Sequence, residues 1–70
     1  MAEHRLGTRL KEARIAHGLT QAELALRVGV SRKTINTIEN RVFVPSTLLA
    51  LALADALGSS VEELFFLTEV

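Results

Sequence analysis

Seventy residues make room for one small domain, which buries only about 60% of the surface its unfolded chain exposes. Eight Lys and Arg balance eight Asp and Glu, and cysteine is absent, which excludes a disulfide framework or a thiolate metal site. No run of about 18 apolar residues offers a membrane span, and the opening MAEHRLGTRLKE lacks the apolar centre of a signal peptide, so a cytoplasmic location is expected.

In chain order, residues 1–4 are expected to fray. A first helix is predicted over about residues 5–17, with Leu6, Leu10 and Ala13 as its apolar stripe, Ile15 near the edge and Gly18 as its end. A second helix is predicted over 21–28. Thr20 stands just before it and Glu23 three residues later, the spacing of a capping box, and Leu24 and Val28 share one face. Gly29 suits the left-handed residue that closes such a helix. Val30 anchors the turn, and Ser31 caps a third helix predicted over 32–40, in which Ile35 and Ile38 point inward.

Pro45 breaks the chain after a short loop, and Ser46 opens a fourth helix over 47–57, TLLALALADAL. That helix is apolar nearly all round. Ala50, Leu51, Ala54 and Leu57 have the period of an inward stripe. Leu48, Leu49, Ala52 and Leu53 then exceed what one small domain can bury, which points either to contact with another subunit or domain or to a helix wrapped by its neighbours. Gly58 ends it. A second capping box, Ser60 to Glu63, opens a short fifth helix over 61–66, with Val61, Leu64 and Phe65 turned to the core. The closing FFLTEV suits either a dimer strand or the approach to a further C-terminal domain.

The outward residues of the third helix are Arg32, Lys33, Asn36, Thr37 and Asn40. A polar face with two cations at its N-terminal end suits a helix lying in a DNA major groove. Net charge is zero, but its distribution is not even. Up to Arg41 the chain holds all eight cations against four carboxylates, a net +4, and from Val42 onward it holds four carboxylates and no cation, a net −4. Such a dipolar layout orients a protein on DNA, although short chains also acquire it by chance.

The motifs R-L-K-E-A-R, G-L-T-Q-A-E-L-A, G-V-S-R-K-T-I-N-T-I-E-N, P-S and A-D-A-L-G-S-S-V-E-E-L-F follow one another over about Leu6 to Phe65. In this order and spacing the chain resembles the helix-turn-helix of phage lambda repressor and Cro proteins and of the wider XRE-type regulators. The resemblance implies an all-α fold, a compact five-helix bundle whose second and third helices form the helix-turn-helix. It implies double-stranded DNA as partner, with Gln21 touching the backbone and the variable reading positions falling on Arg32, Lys33 and Thr37, with Asn36 beside them. It also implies a buried ion pair between Arg14 and Glu39. An unpaired buried charge would be costly there, whereas a paired one fixes how two helices dock.

The chemistry of these side chains completes the candidate interface. Thr20, Gln21 and Ser31 stand at helix N-termini, which favour phosphate. Arg32 suits guanine O6 and N7, Lys33 guanine or a phosphate, Thr37 a thymine methyl, and Asn36 adenine. Asn40 and Arg41 follow the reading helix, close to where phosphates would lie. Here the chain departs from the family pattern, which places glycine at Arg41 and often a cation at Val42. Asn40 is the residue expected to take the left-handed turn in glycine's place.

An enzyme is not expected. His4 and His17 have no serine or carboxylate at a useful spacing, two histidines without cysteine do not make a zinc site, and no cofactor motif is present. The expected function is sequence-specific binding of a palindromic operator by a homodimer, as a bacterial or phage transcriptional repressor, with activation equally open to such a domain. The alternative is a protein-interaction or antitoxin-like module that uses the apolar fourth helix and the tail, with DNA binding secondary.

Overall fold

Four hydroxyl side chains set where four of the helices begin. Thr20 accepts the backbone N–H of Glu23, Ser31 that of Thr34, Ser46 that of Leu49 and Ser60 that of Glu63, each satisfying a donor that the helix itself leaves unpaired. The computed structural model describes residues 4–69. It places β1 at His4–Thr8, α1 at Leu10–Ala16, α2 at Gln21–Val28, α3 at Arg32–Glu39, α4 at Thr47–Ala56, α5 at Val61–Leu64 and β2 at Phe65–Glu69. Both capping boxes are complete, with the Glu23 and Glu63 carboxylates accepting from the Thr20 and Ser60 N–H groups. Gly29 closes α2 at φ +73°, a conformation that costs glycine nothing.

The core is aliphatic. Leu10, Leu24, Ile35, Ile38, Leu53, Leu57 and Leu64 are all but completely buried, and at least one comes from each helix. Val28 and Val30 pack half-buried against this cluster. Ile15 is exposed.

Four expectations change. The first helix does not start near residue 5. Its first turn begins at Leu10, whose N–H is taken by the Thr8 hydroxyl at 3.0 Å. The segment before it, His4–Thr8, is a strand. The fifth helix stops at Leu64, because Phe65 turns to extended geometry at φ −133° and ψ 144°. The two chain ends then pair as a two-stranded antiparallel sheet, with His4 opposite Glu69, Leu6 opposite Leu67 and Thr8 opposite Phe65. The all-α description is therefore corrected to five helices closed by a small sheet. The fraying expected of residues 1–3 lies outside the described residues, and His4 opens β1.

The physical reason is a cross-strand match that neither segment displays alone. Gly7 lies opposite Phe66 in the register. A β-carbon on Gly7 would stand 2.3 Å from the Phe66 ring, so only glycine lets the ring lie across the strand. The Arg9 guanidinium covers the same ring at 4.2 Å from its centre, a cation–π contact. Phenylalanine and threonine favour extended backbone once a neighbouring strand is present. The Arg9 N–H also donates to the Leu64 carbonyl at 2.7 Å, tying the start of α1 to the end of α5.

The last change concerns α4. Ala54 and Leu57 are buried and Ala50 is half-buried, as the expected stripe requires, but Leu51 is 56% exposed and Leu53 is buried in its place. A helix without a polar face carries no sequence signal for its rotation. Contacts with α2 and α5 set it instead.

Candidate nucleic-acid interface

Ile35 and Ile38 anchor one side of α3 in the core, which decides what the other side presents. Arg32, Lys33, Asn36 and Asn40 are exposed. Arg32, Lys33 and Asn36 line one shallow recess. Among the described residues the ion pair is Arg14–Glu39, so Arg32, Lys33 and Arg41 have no carboxylate partner there.

Behind α3 lies that ion pair. Arg14 Nε donates to Glu39 Oε2 at 2.7 Å and a second guanidinium nitrogen donates to Oε1 at 3.2 Å. The third nitrogen donates to the Leu19 carbonyl at 2.8 Å. The Glu39 side chain is 3% exposed and that of Arg14 11%. One guanidinium thus joins α1, the turn before α2, and α3. Its hydrogen bond to Glu39 holds Arg14 above its already high ordinary pKa, against the opposing cost of burial.

A polar chain leads from this pair to the exposed face. Gln21 Nε2 donates to Glu39 Oε1 at 3.1 Å and to Asn36 Oδ1 at 3.2 Å. Asn40 Nδ2 donates to the Asn36 backbone carbonyl at 3.0 Å and to the same Asn36 Oδ1 at 3.1 Å. Composition and spacing give no sign of this network, because four of its members are common surface residue types. It depends on α2 and α3 crossing closely enough for residues 15 and 18 apart to meet.

Other candidate residues are committed elsewhere. The Thr20 hydroxyl is occupied by its cap, and Ser31 shares its hydroxyl with Thr34 N–H and the Thr34 hydroxyl. Any phosphate at those termini would meet the free backbone N–H groups of the first helical turn. Thr37 is half-buried, with its hydroxyl donated to the Thr34 carbonyl at 2.9 Å. With that proton committed, Thr37 can meet a base through its methyl or as an acceptor, and not as a donor. The Glu23 carboxylate is held below its ordinary pKa by the Thr20 backbone N–H and then by the Thr20 hydroxyl.

The left-handed turn after α3 falls on Arg41, at φ +61°, and not on Asn40, whose φ is −91°. Arg41 N–H donates to the Ile38 carbonyl and Val42 N–H to the Thr37 carbonyl, the paired bonds of a Schellman closure. The helix ends at Glu39, so the position after Asn40 must take positive φ. An arginine there is strained by roughly 1–2 kcal/mol. It lies beside Arg5 and His4 of β1, with Phe43 and Val44 of the loop, around a groove that no carboxylate lines.

Among the described residues, no three His, Asp or Glu side chains gather as metal ligands, and no helix is long and apolar enough to cross a membrane.

Two short capped helices with a glycine turn, the second presenting unpaired cations and amides outward, define a helix-turn-helix protein of the DNA-binding class. Comparison with known proteins gives the particular family. The helix-turn-helix family model matches residues 10–64, and the chain belongs to the XRE-type helix-turn-helix family. An HTH-type transcriptional regulator of Methanothermobacter thermautotrophicus is 48% identical over 63 residues, covering 89% of this chain and 91% of that protein. The HTH-type transcriptional regulator YgzD of Bacillus subtilis is 41% identical over 61 residues, covering 87% and 92%. Among solved structures, the restriction-modification controller protein C.AhdI of Aeromonas hydrophila is 36% identical with a TM-score of 0.74, covering 79% of this chain and 83% of that one.

Proposed function

We propose that this chain is a single-domain, sequence-specific double-stranded DNA binder that acts as a homodimeric transcriptional repressor in the cytoplasm, reading a palindromic operator in the major groove. It works by binding and not by catalysis, and needs no cofactor. The observation that carries this reading is the outward face of α3. Its apolar side is locked in the core, and Arg32, Lys33 and Asn36 share one recess with no carboxylate among its lining residues. Arg32 and Lys33 contact bases or phosphates at the entering end of the helix. The termini at Thr20, Gln21 and Ser31, together with Asn40 and Arg41, contact the backbone, and the Thr37 methyl adds an apolar contact.

A homodimer is supported by exposed apolar residues of α4, the loop before it and β2. Leu48 is 79% exposed, Val44 and Leu67 are each 68% exposed, and Leu51 lines an apolar groove with Leu6, Val44, Ala50 and Phe65. A monomer of 70 residues gains nothing by leaving these in water. A second copy covers them and supplies the second reading helix, one DNA turn of about 34–36 Å from the first.

The test is selection of binding sites from random duplex DNA by the purified chain, followed by a salt titration of the recovered site. The expected result is an inverted repeat whose affinity falls with salt by a slope of about 0.9 per phosphate neutralised. A chain that enriches no sequence, and instead holds a protein partner with little salt dependence, would favour the interaction-module reading built on α4 and the tail.

A further inference from the structure

We infer that Asn36 is held as a donor-only reading residue, and that it selects guanine, through the N7 and O6 acceptors, in preference to adenine. The inference rests on the DNA-reading role proposed above and deepens it.

The polarity is set at the buried carboxylate. Glu39 is ionised against Arg14 and has only acceptors to offer. The Gln21 atom that faces Glu39 Oε1 at 3.1 Å must therefore be its nitrogen. The same Gln21 nitrogen faces Asn36 at 3.2 Å, so the Asn36 atom there must be its oxygen. Asn40 supplies an independent proof. Its amide meets the Asn36 backbone carbonyl at 3.0 Å, an acceptor, and so presents nitrogen, and that nitrogen also meets the Asn36 side chain at 3.1 Å. Two donors converge on Asn36 Oδ1 and fill both of its lone pairs.

What remains is Asn36 Nδ2, with two N–H groups and no partner among the described residues. Asn36 itself is exposed and lines one recess with Arg32 and Lys33. An asparagine free to turn reads adenine by accepting from N6 while donating to N7. This one has no acceptor to give. Guanine presents two acceptors side by side in the major groove, N7 and O6, and meets both N–H groups. Adenine would set its N6 amino group against an N–H, cytosine presents only a donor, and thymine offers the single acceptor O4 beside a methyl group. The polarity of a buried ion pair is thus carried to the protein surface through two side-chain hydrogen bonds.

The experiment compares sites selected from random duplex DNA by the wild-type chain, by Asn36→Ala, and by the double variant Gln21→Ala/Asn40→Ala, with thermal melting to establish that each is folded. In the wild type, one position of each half-site should be guanine and should become degenerate with Asn36→Ala while the others persist. In the double variant, adenine should join guanine there, because the freed amide can turn its oxygen outward. Replacing that guanine by 7-deazaguanine should weaken wild-type binding by roughly tenfold and leave Asn36→Ala unaffected. The wild-type half of this measurement needs no variant to fold. Adenine at the Asn36-dependent position in the wild type, or a full set of preferences retained by Asn36→Ala, would overturn the inference and leave the DNA-reading role intact. A wild-type chain that enriches no sequence would overturn that role, and this inference with it.

Discussion

The α2–α3 pair and the region formed by α4 and the terminal sheet are stabilised in different ways. Around α2 and α3, directional contacts are added to the burial of Leu24, Ile35 and Ile38. Caps start both helices, a guanidinium fork ties three elements together, and a carboxylate and a backbone carbonyl dictate which end of each amide faces out. On the α4 side, burial is non-directional. Leu48, Leu51 and Leu67 remain in water, and no polar contact fixes how α4 is rotated. The sequence-reading role proposed for the first region is served by contacts that lose their worth when misaligned. A surface that meets another apolar surface needs only area and shape.

The largest expected effect lies in the first region. Arg14→Ala would leave the Glu39 carboxylate buried and unpaired, a loss of about 3–5 kcal/mol, which a domain of this size scarcely survives. Urea denaturation should show it, and Arg14→Met/Glu39→Leu should be less damaging than Arg14→Ala alone. If the single variant were as stable as wild type, the ion pair would not be what docks α3.

The second region should break differently. Leu48→Glu or Leu51→Glu should leave the thermal midpoint of the monomer nearly unchanged and abolish the dimer in sedimentation. Affinity for a full operator should fall on the order of a hundredfold through lost bivalency. An undisturbed dimer would move the interface away from α4.

A smaller effect separates stability from binding at one residue. Arg41→Gly relieves the left-handed strain and should stabilise the fold by about 1 kcal/mol. The same change should weaken binding to all DNA sequences alike and make the salt slope shallower by about one phosphate. A loss confined to one sequence would give Arg41 a base-reading role.

The smallest effect is in pH. Glu23 and Glu63 are held below the ordinary carboxylate value by the Thr20 and Ser60 N–H groups and hydroxyls. A folded-state pKa depressed below the unfolded one adds stability that is present above the ordinary value of 4.5 and is lost as pH falls through the lowered value. Replacing both residues by glutamine should flatten the acid limb of a stability–pH curve and leave its neutral part little changed. An unaltered acid limb would mean the boxes contribute no pH dependence.

The contrast between the regions also explains what could be read before folding. The boundaries of α2 and α3 are written locally. Thr20, Glu23, Gly29 and Ser31 act on neighbours within four residues, so their meaning survives without tertiary context. The nine candidate contact residues could be placed on or beside α3 and at helix starts by the same logic. Yet the state of several was invisible. Nothing near Thr37 tells that its hydroxyl turns inward, and nothing near Asn36 tells which end of its amide is free. The turn at Arg41 was a matter of one residue. Asn40 tolerates positive φ better, but the helix end decides which position needs it.

The chain by itself determined the helix-turn-helix, its caps, the aliphatic core and the charge division at Arg41, because each rests on short-range hydrogen bonding or on composition. Tertiary structure alone decided the pairing of His4–Thr8 with Phe65–Glu69, the rotation of α4 that buries Leu53 and exposes Leu51, and the outward polarity of Asn36. Each of these needs a partner brought from elsewhere in the chain. A strand has no hydrogen-bonding partner within itself, a uniformly apolar helix has no preferred face, and an amide has no preferred end until a donor or an acceptor is placed against it.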